Sequence, residues 1–214
     1  MRGGIIDILL SFIFPSTNSE ELFRRATLVD FIVKIRRKEF PDGRIGLLPF
    51  RDPIVRELIH SLKYKHSEKA FEFASDIFLN ELSEDLSEKS DWNDKSGFVL
   101  IPIPGNENNV RNRGYNQTIK LAQTILERGG SAFFTLDAEN LVRVKKVDSQ
   151  TSKKRKERLT NMKEVFDIKN KNVLGGKHVV VIDDVTTTGA TFAEAQRALE
   201  SAGVKSVLCV AIAY

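Results

Sequence analysis

The chain has 214 residues, 41% of them hydrophobic and 29% charged, with a formal net charge of +4 and a single cysteine. That composition suits one α/β domain with a small appendage and excludes disordered and collagen-like chains. One cysteine also excludes an intramolecular disulfide and a cysteine-built zinc site, and Cys209, inside SVLCVAIAY, reads as a small core hydrophobe.

From the N-terminus, the apolar stretch Ile5–Phe14 is too short to cross a bilayer, is interrupted by Asp7 and Ser11, and precedes no convincing cleavage site. A cytoplasmic protein without membrane insertion is expected. LFRRATLVDFIVKI (22–35) predicts the helix of a small appendage over residues 1–43. In DPIVRELIHSLKYK (52–65), Asp52 is the expected N-cap and Pro53 opens the first turn, with Ile54, Leu58, Ile59 and Leu62 on one apolar face. A second helix is predicted over Glu68–Leu86, followed by a polar loop in SEDLSEKSDWNDKSG.

The second half alternates strands with helices. FVLIPIP (98–104), HVVVID (178–183) and SVLCVAIA (206–213) read as buried strands, and LVRV (141–144) as a shorter one. Helices are predicted over Asn116–Arg128, which ends before Gly129 and Gly130, and over Thr191–Ala202, which closes on Gly203. This order predicts a mostly parallel sheet flanked by helices, with ligands bound beyond the carboxyl ends of its strands.

Charge is unevenly placed. Between Arg143 and Lys163, six lysines and three arginines stand against Asp148 and Glu157, a local excess of +7 that leaves about −3 for the rest of the chain. Such a block suits phosphates or nucleic acid, or forms a solvated loop with no partner.

The stretch VVVIDDVTTTGAT (179–191) holds the chemistry. A strand ending in Asp183 and Asp184 brings two carboxylates to the ligand edge of the sheet. Thr186, Thr187, Thr188, Gly189, Ala190 and Thr191 then turn into a helix, so backbone N–H groups, hydroxyls and the positive helix end converge on a phosphate monoester. Acids beside a phosphate cradle fit a sugar phosphate, whose hydroxyls they accept from. The nucleotide-hydrolase alternative requires G-x-x-x-x-G-K-[ST] upstream, which is absent, and GGKH (175–178) does not replace it.

That stretch resembles the signature for phosphoribosyl pyrophosphate (PRPP) in type I phosphoribosyltransferases. IPIPGNENNVRNRGYNQTIKLAQTI (101–125), QTSKKRKERLTNMKEVFDI (150–168) and DPIVRELIHSLKYK (52–65) resemble blocks of the competence-associated ComF family, so the resemblance spans roughly residues 44–214. It implies a type I phosphoribosyltransferase fold and a pyrophosphate site at Pro104, Gly105, Asn106 and Glu107, with Arg111, Arg113 and Asn116 close by. By the same resemblance, the basic block is a mobile loop closing over PRPP, its Gln150, Arg158 and Asn161 matching spaced family positions and Lys153, Lys154 and Arg155 adding charge. Asp183 and Asp184 are implied to orient ribose hydroxyls and to meet Mg²⁺ through water.

In one place the family pattern breaks. ComF proteins commonly carry an N-terminal module with zinc-binding cysteines, whereas here IIDILLSFIFP continues into STNSEELFRR without a cysteine, so no zinc is expected and a helical appendage stands in its place. His60, His66 and His178 lie at no metal-ligand spacing. The chain stops at Tyr214, directly after the last strand, so an acceptor pocket is expected from the N-terminal half. Expected partners are PRPP or another ribose phosphate and, as a second reading, single-stranded DNA and DNA-uptake proteins reached through the basic block. A homodimer through the exposed N-terminal helices is a further expectation.

Overall fold

Strands that are apolar on both faces must be covered on both, and this requirement sets the frame. The computed structural model describes residues 17–89, 97–144 and 165–214. In chain order, the sheet-forming strands are β1 (Lys38–Glu39), β2 (Ile45–Leu48), β3 (Phe98–Pro102), β4 (Phe134–Leu136), β7 (His178–Val185) and β8 (Ser206–Ala213). They form one sheet of order β1-β2-β8-β7-β3-β4, parallel throughout except for the antiparallel β1–β2 pair. A separate antiparallel ribbon joins β5 (Leu141–Arg143) to β6 (Phe166–Ile168). The LVRV stretch expected as a strand therefore belongs to this ribbon and not to the main sheet.

The helices divide between the two faces. On one side lie α3 (Pro53–Tyr64), α4 (Glu68–Lys89) and α6 (Gln117–Glu127). Their Leu58, Phe71, Phe78 and Leu121 pack with Leu100, Val180, Val210 and Ile212 of the strands. On the other side, Val99, Val179, Val181, Cys209 and Ala211 meet Phe192, Ala195 and Leu199 of α8 (Ala190–Glu200), together with Leu141 and Phe166 of the ribbon. Adjacent valines of β7 thus point to opposite cores, which explains why its sequence shows no polar alternation. Cys209 is buried and its thiol is pushed up to about 12 by that burial, in keeping with a core role.

Local signals account for the helix ends. Asp52 accepts from the Ile54 N–H at 2.9 Å and Pro53 occupies the first turn of α3. Asn116 caps α6 in the same way, accepting from the Thr118 N–H at 3.1 Å. α4 ends at Lys89, three residues past the expected Leu86 and seven residues into the stretch SEDLSEKSDWNDKSG expected to hold a loop; its buried Leu82 and Leu86 continue the core face and Arg37 holds Asp85 at 2.5 Å.

The N-terminal region differs from expectation. The single helix expected over 22–35 is two, α1 (Thr17–Arg25) and α2 (Leu28–Ile32). Thr27 is extended, and its N–H and hydroxyl both donate to Asp30, at 2.7 and 2.8 Å, so a capping pair starts a new helix where the apolar pattern suggested continuity. Phe23 and Phe31 pack with Phe73 of α4, at ring centroids 6.4 and 5.5 Å, joining these helices to the main core. The expected division at 43/44 falls inside the β1–β2 hairpin, where Lys38 pairs with Gly46.

Two more short helices, α5 (Glu107–Arg113) and α7 (Lys171–Leu174), complete the chain order among the described residues. The apolar lead Ile5–Phe14, the middle of the polar connector, and Gln150, Lys153, Lys154, Arg155, Arg158 and Asn161 of the basic block lie outside the described residues.

Candidate functional site

Parallel pairing brings the carboxyl ends of β3 and β7 side by side. Pro102 is in register with Ile182, and the Ile103 N–H donates to the Ile182 carbonyl at 2.9 Å. The segment 103–106 therefore leaves the sheet next to Asp183 and Asp184. Thr118 fixes its start, donating from Oγ1 to the Ile103 carbonyl at 2.7 Å. Gly105 is closely packed: a Cβ there would lie 2.8 Å from Val110 Cγ2, forcing that side chain to shift, and in ordinary contact, 3.5 Å, with the Asn116 amide carbon. Glu107 opens α5, so the expected loop is shorter than the sequence pattern implied.

The two acids face opposite ways, as neighbours on a strand must. Asp184 is 4% exposed and points to the side of α3 and α6. Its Oδ1 lies 3.1 Å from Lys63 Nζ, and its Oδ2 accepts from Gln117 Nε2 at 2.9 Å. Burial works against the Lys63 ammonium, but the Asp184 carboxylate outweighs it and the lysine pKa rises. Asp183 lies on the side of the β5–β6 ribbon, where its Oδ1 accepts the Asp184 N–H at 2.8 Å. Burial, reinforced by the Asp184 charge, raises its pKa far above the usual carboxylate range, with Lys63 and Arg143 opposing. Arg143 sits 4.9 Å over the Phe166 ring, and its Nε is buried without a hydrogen-bond partner among the described residues. Burial lowers its pKa, opposed by Asp183.

Beyond Asp184 the chain turns. Thr186 is buried and its N–H donates to the Ala213 carbonyl at 2.9 Å, while Thr187 and Thr188 are exposed. Gly189 adopts φ +80°, a left-handed conformation open to glycine at little cost. Ala190 and Thr191 then begin α8, the Ala190 N–H reaching Thr188 Oγ1 at 3.4 Å. The first-turn N–H groups of a helix have no partner within it, so this end of α8 presents donors to an anion.

Of the residues singled out from sequence, Asp183, Asp184, Thr186–Thr191 and Pro104–Asn106 are gathered at one edge of the sheet. Arg111 is exposed on α5. Arg113 is engaged with aromatic neighbours: it stacks 4.7 Å over Tyr64, donates to Tyr64 Oη at 3.1 Å, and its carbonyl lies 3.2 Å from His66 Nε2. Sequence reasoning missed Lys63, Gln117, Arg143 and Arg44. Lys63 and Gln117 lie in stretches already quoted for the family resemblance, and only the folding of α3 and α6 onto the sheet gives them a role.

Comparison with known proteins extends the picture. A family model described as a phosphoribosyl transferase domain matches residues 125–214. The competence protein ComFC of Bacillus subtilis is 33% identical over 142 residues, covering 65% of this chain and 54% of that protein. The DNA utilization protein YhgH of Salmonella typhimurium is 28% identical over 155 residues, covering 72% and 65% respectively. The chain thus spans less than two thirds of the length of these relatives. A solved hypoxanthine phosphoribosyl transferase of Trypanosoma cruzi superposes with a TM-score of 0.42 at 12% identity, over 72% of this chain and 64% of that one, too loosely to bear on the site. The parallel sheet flanked by helices and the family match together give the type I phosphoribosyltransferase fold expected from the sequence.

Proposed function

We propose that this chain, a relative of the ComF competence proteins with a phosphoribosyl transferase domain, binds PRPP with Mg²⁺ and transfers phosphoribose to an acceptor that its sequence does not identify. The observation carrying this reading is the meeting, at one sheet edge, of an acid pair held in opposite environments with a glycine turn that opens a helix.

In this reading the 5-phosphate lies on the turn 186–191, where helix N–H groups and threonine hydroxyls donate to it. The ribose hydroxyls face the acid pair. Pyrophosphate lies along 104–106, where Gly105 lets the backbone approach. Displacement at the anomeric carbon builds positive charge on the sugar and negative charge on the departing pyrophosphate, so stabilisation comes from fixed charges and not from a covalent nucleophile. Lys63 and Gln117 keep Asp184 in one orientation, and Arg143 supplies a cation on the Asp183 side.

The donor set fits magnesium through water. Among the described residues no three acids, histidines or cysteines stand close enough to hold a metal directly. Both Asp184 oxygens are engaged, and one Asp183 oxygen accepts a backbone N–H, so ligand oxygens and waters must complete any shell. When bound, Mg²⁺ supplies compensation for the pyrophosphate charge.

A second reading is supported by the +7 block between Arg143 and Lys163 and by relatives named for competence and DNA utilization: single-stranded DNA gripped by that block, alone or with DNA-uptake proteins. Calorimetry separates the two readings. Saturable PRPP binding in Mg²⁺, lost in Asp183→Asn/Asp184→Asn, supports the first; salt-sensitive DNA binding without PRPP binding supports the second.

A further inference from the structure

Arg44 belongs to no motif in the sequence. It immediately precedes strand β2, is only 8% exposed, and its guanidinium lies against the turn that opens α8. The group sits 4.0 Å over the Phe40 ring, pairs through Nη1 with the Asp42 carboxylate, and directs Nη2 at the Thr187 carbonyl, 3.4 Å away. Its Nε is buried without a hydrogen-bond partner among the described residues.

The fit to Gly189 is close. A Cβ on that residue would fall 1.8 Å from Nη1 and 2.6 Å from Cζ, so the guanidinium fills the space that any side chain at 189 would need. Charge makes the arrangement informative. A buried cation beside the N-terminal end of an 11-residue helix is opposed by the helix dipole and by desolvation. The carboxylate of Asp42, about half exposed, offsets part of this. An anion seated on the turn would offset more of it.

We infer that Arg44 is a positioning residue for the phosphate-holding turn, acting through Thr187 and Gly189; this rests on the ribose-phosphate reading above. A planar trans peptide points its N–H opposite to its carbonyl. With the Thr187 carbonyl drawn towards Arg44, the Thr188 N–H is turned to the other side, where the phosphate would lie. Arg44 thereby fixes the donor geometry from behind and keeps position 189 free of a side chain.

Calorimetric titration of the full chain with ribose 5-phosphate, and separately with inorganic pyrophosphate plus Mg²⁺, tests this in wild type, Arg44→Met and Arg44→Lys, with thermal stability read alongside. Arg44→Met is expected to weaken ribose 5-phosphate by about tenfold, as misaiming one backbone donor to a charged phosphate oxygen does, and to leave pyrophosphate within about twofold. Arg44→Lys keeps the charge without the fork and is expected to fall between. Equal weakening of both ligands, or of neither, overturns the inference, because a bracing role lowers stability without selecting between them. If Arg44→Met does not fold, Arg44→Lys decides: a selective loss of about threefold or more supports the assignment, and an unchanged affinity overturns it. Failure of wild type to bind ribose 5-phosphate refutes the underlying reading itself, and is seen before any variant is made.

Discussion

Removing Lys63 should expose how the acid pair is held. Asp184 is 4% exposed and its cation lies 3.1 Å away, so Lys63→Met leaves a buried carboxylate whose remaining partner is the neutral Gln117 amide. Breaking a buried pair from one side costs about 3–5 kcal/mol; since the Lys63 side chain keeps 22% exposure, the lower end, about 3 kcal/mol, is expected. For a chain of this size that corresponds to a fall in Tm of about 6–12 °C. A double-mutant cycle in urea denaturation isolates the pair. Asp184→Asn removes the charge that Lys63 leaves behind, so the double variant should be more stable than the sum of the single effects implies by about 2 kcal/mol. Additivity within about 0.5 kcal/mol would refute the claim that Lys63 stabilises through Asp184.

Glu57 carries a pH signature. Burial alone would raise its pKa, but the nearby His60 ring at 3.7 Å and the Lys65 ammonium, which donates at 2.8 Å, bring it down to about 2. A carboxylate depressed on folding stabilises above its unfolded pKa of 4.5, and that contribution is lost as pH falls through the folded value. Glu57→Gln should therefore cost up to about 3 kcal/mol at pH 7, with the difference from wild type closing between about pH 5 and pH 2 in acid-denaturation curves; a gap independent of pH would count against the pairing. Gly189→Ala combines a left-handed φ with collision against Arg44, and should lower stability by more than about 1 kcal/mol while reducing ribose 5-phosphate affinity in the same preparation. Retained affinity would show that the turn does not hold the phosphate. Cys209 should resist thiol reagents at pH 8 in the folded chain and react once urea unfolds it, since burial raises the thiol to about 12; rapid native labelling would contradict its placement.

What could be read from the sequence follows the range of the forces involved. The β7 strand and its turn were legible because apolar strand, acids and helix start are contiguous, and so was the cap at Asp52; that Asn116 caps α6 and does not belong to its body is seen only in the folded chain. The break at Thr27 has a local cause, the Thr27–Asp30 pair, but a continuous apolar pattern from Leu22 to Ile35 obscured it. The three-residue strand β4 is too short to show periodicity, and Phe134 is placed by packing on Phe78 and Phe98. Arg44 and Lys63 owe their roles to partners more than 100 residues away, Thr187 and Asp184, contacts that only the folded sheet creates. Arg113, singled out for phosphate by its neighbourhood, has its guanidinium on Tyr64, another contact that only the folded chain creates.

The most direct test of the central claim is calorimetric titration of PRPP in Mg²⁺ into wild type and into Asp183→Asn/Asp184→Asn, with a short single-stranded DNA titrated in parallel at two salt concentrations. Wild type should bind PRPP saturably and the double variant should not. Absence of PRPP binding by wild type, with DNA binding that weakens as salt rises, would contradict that claim.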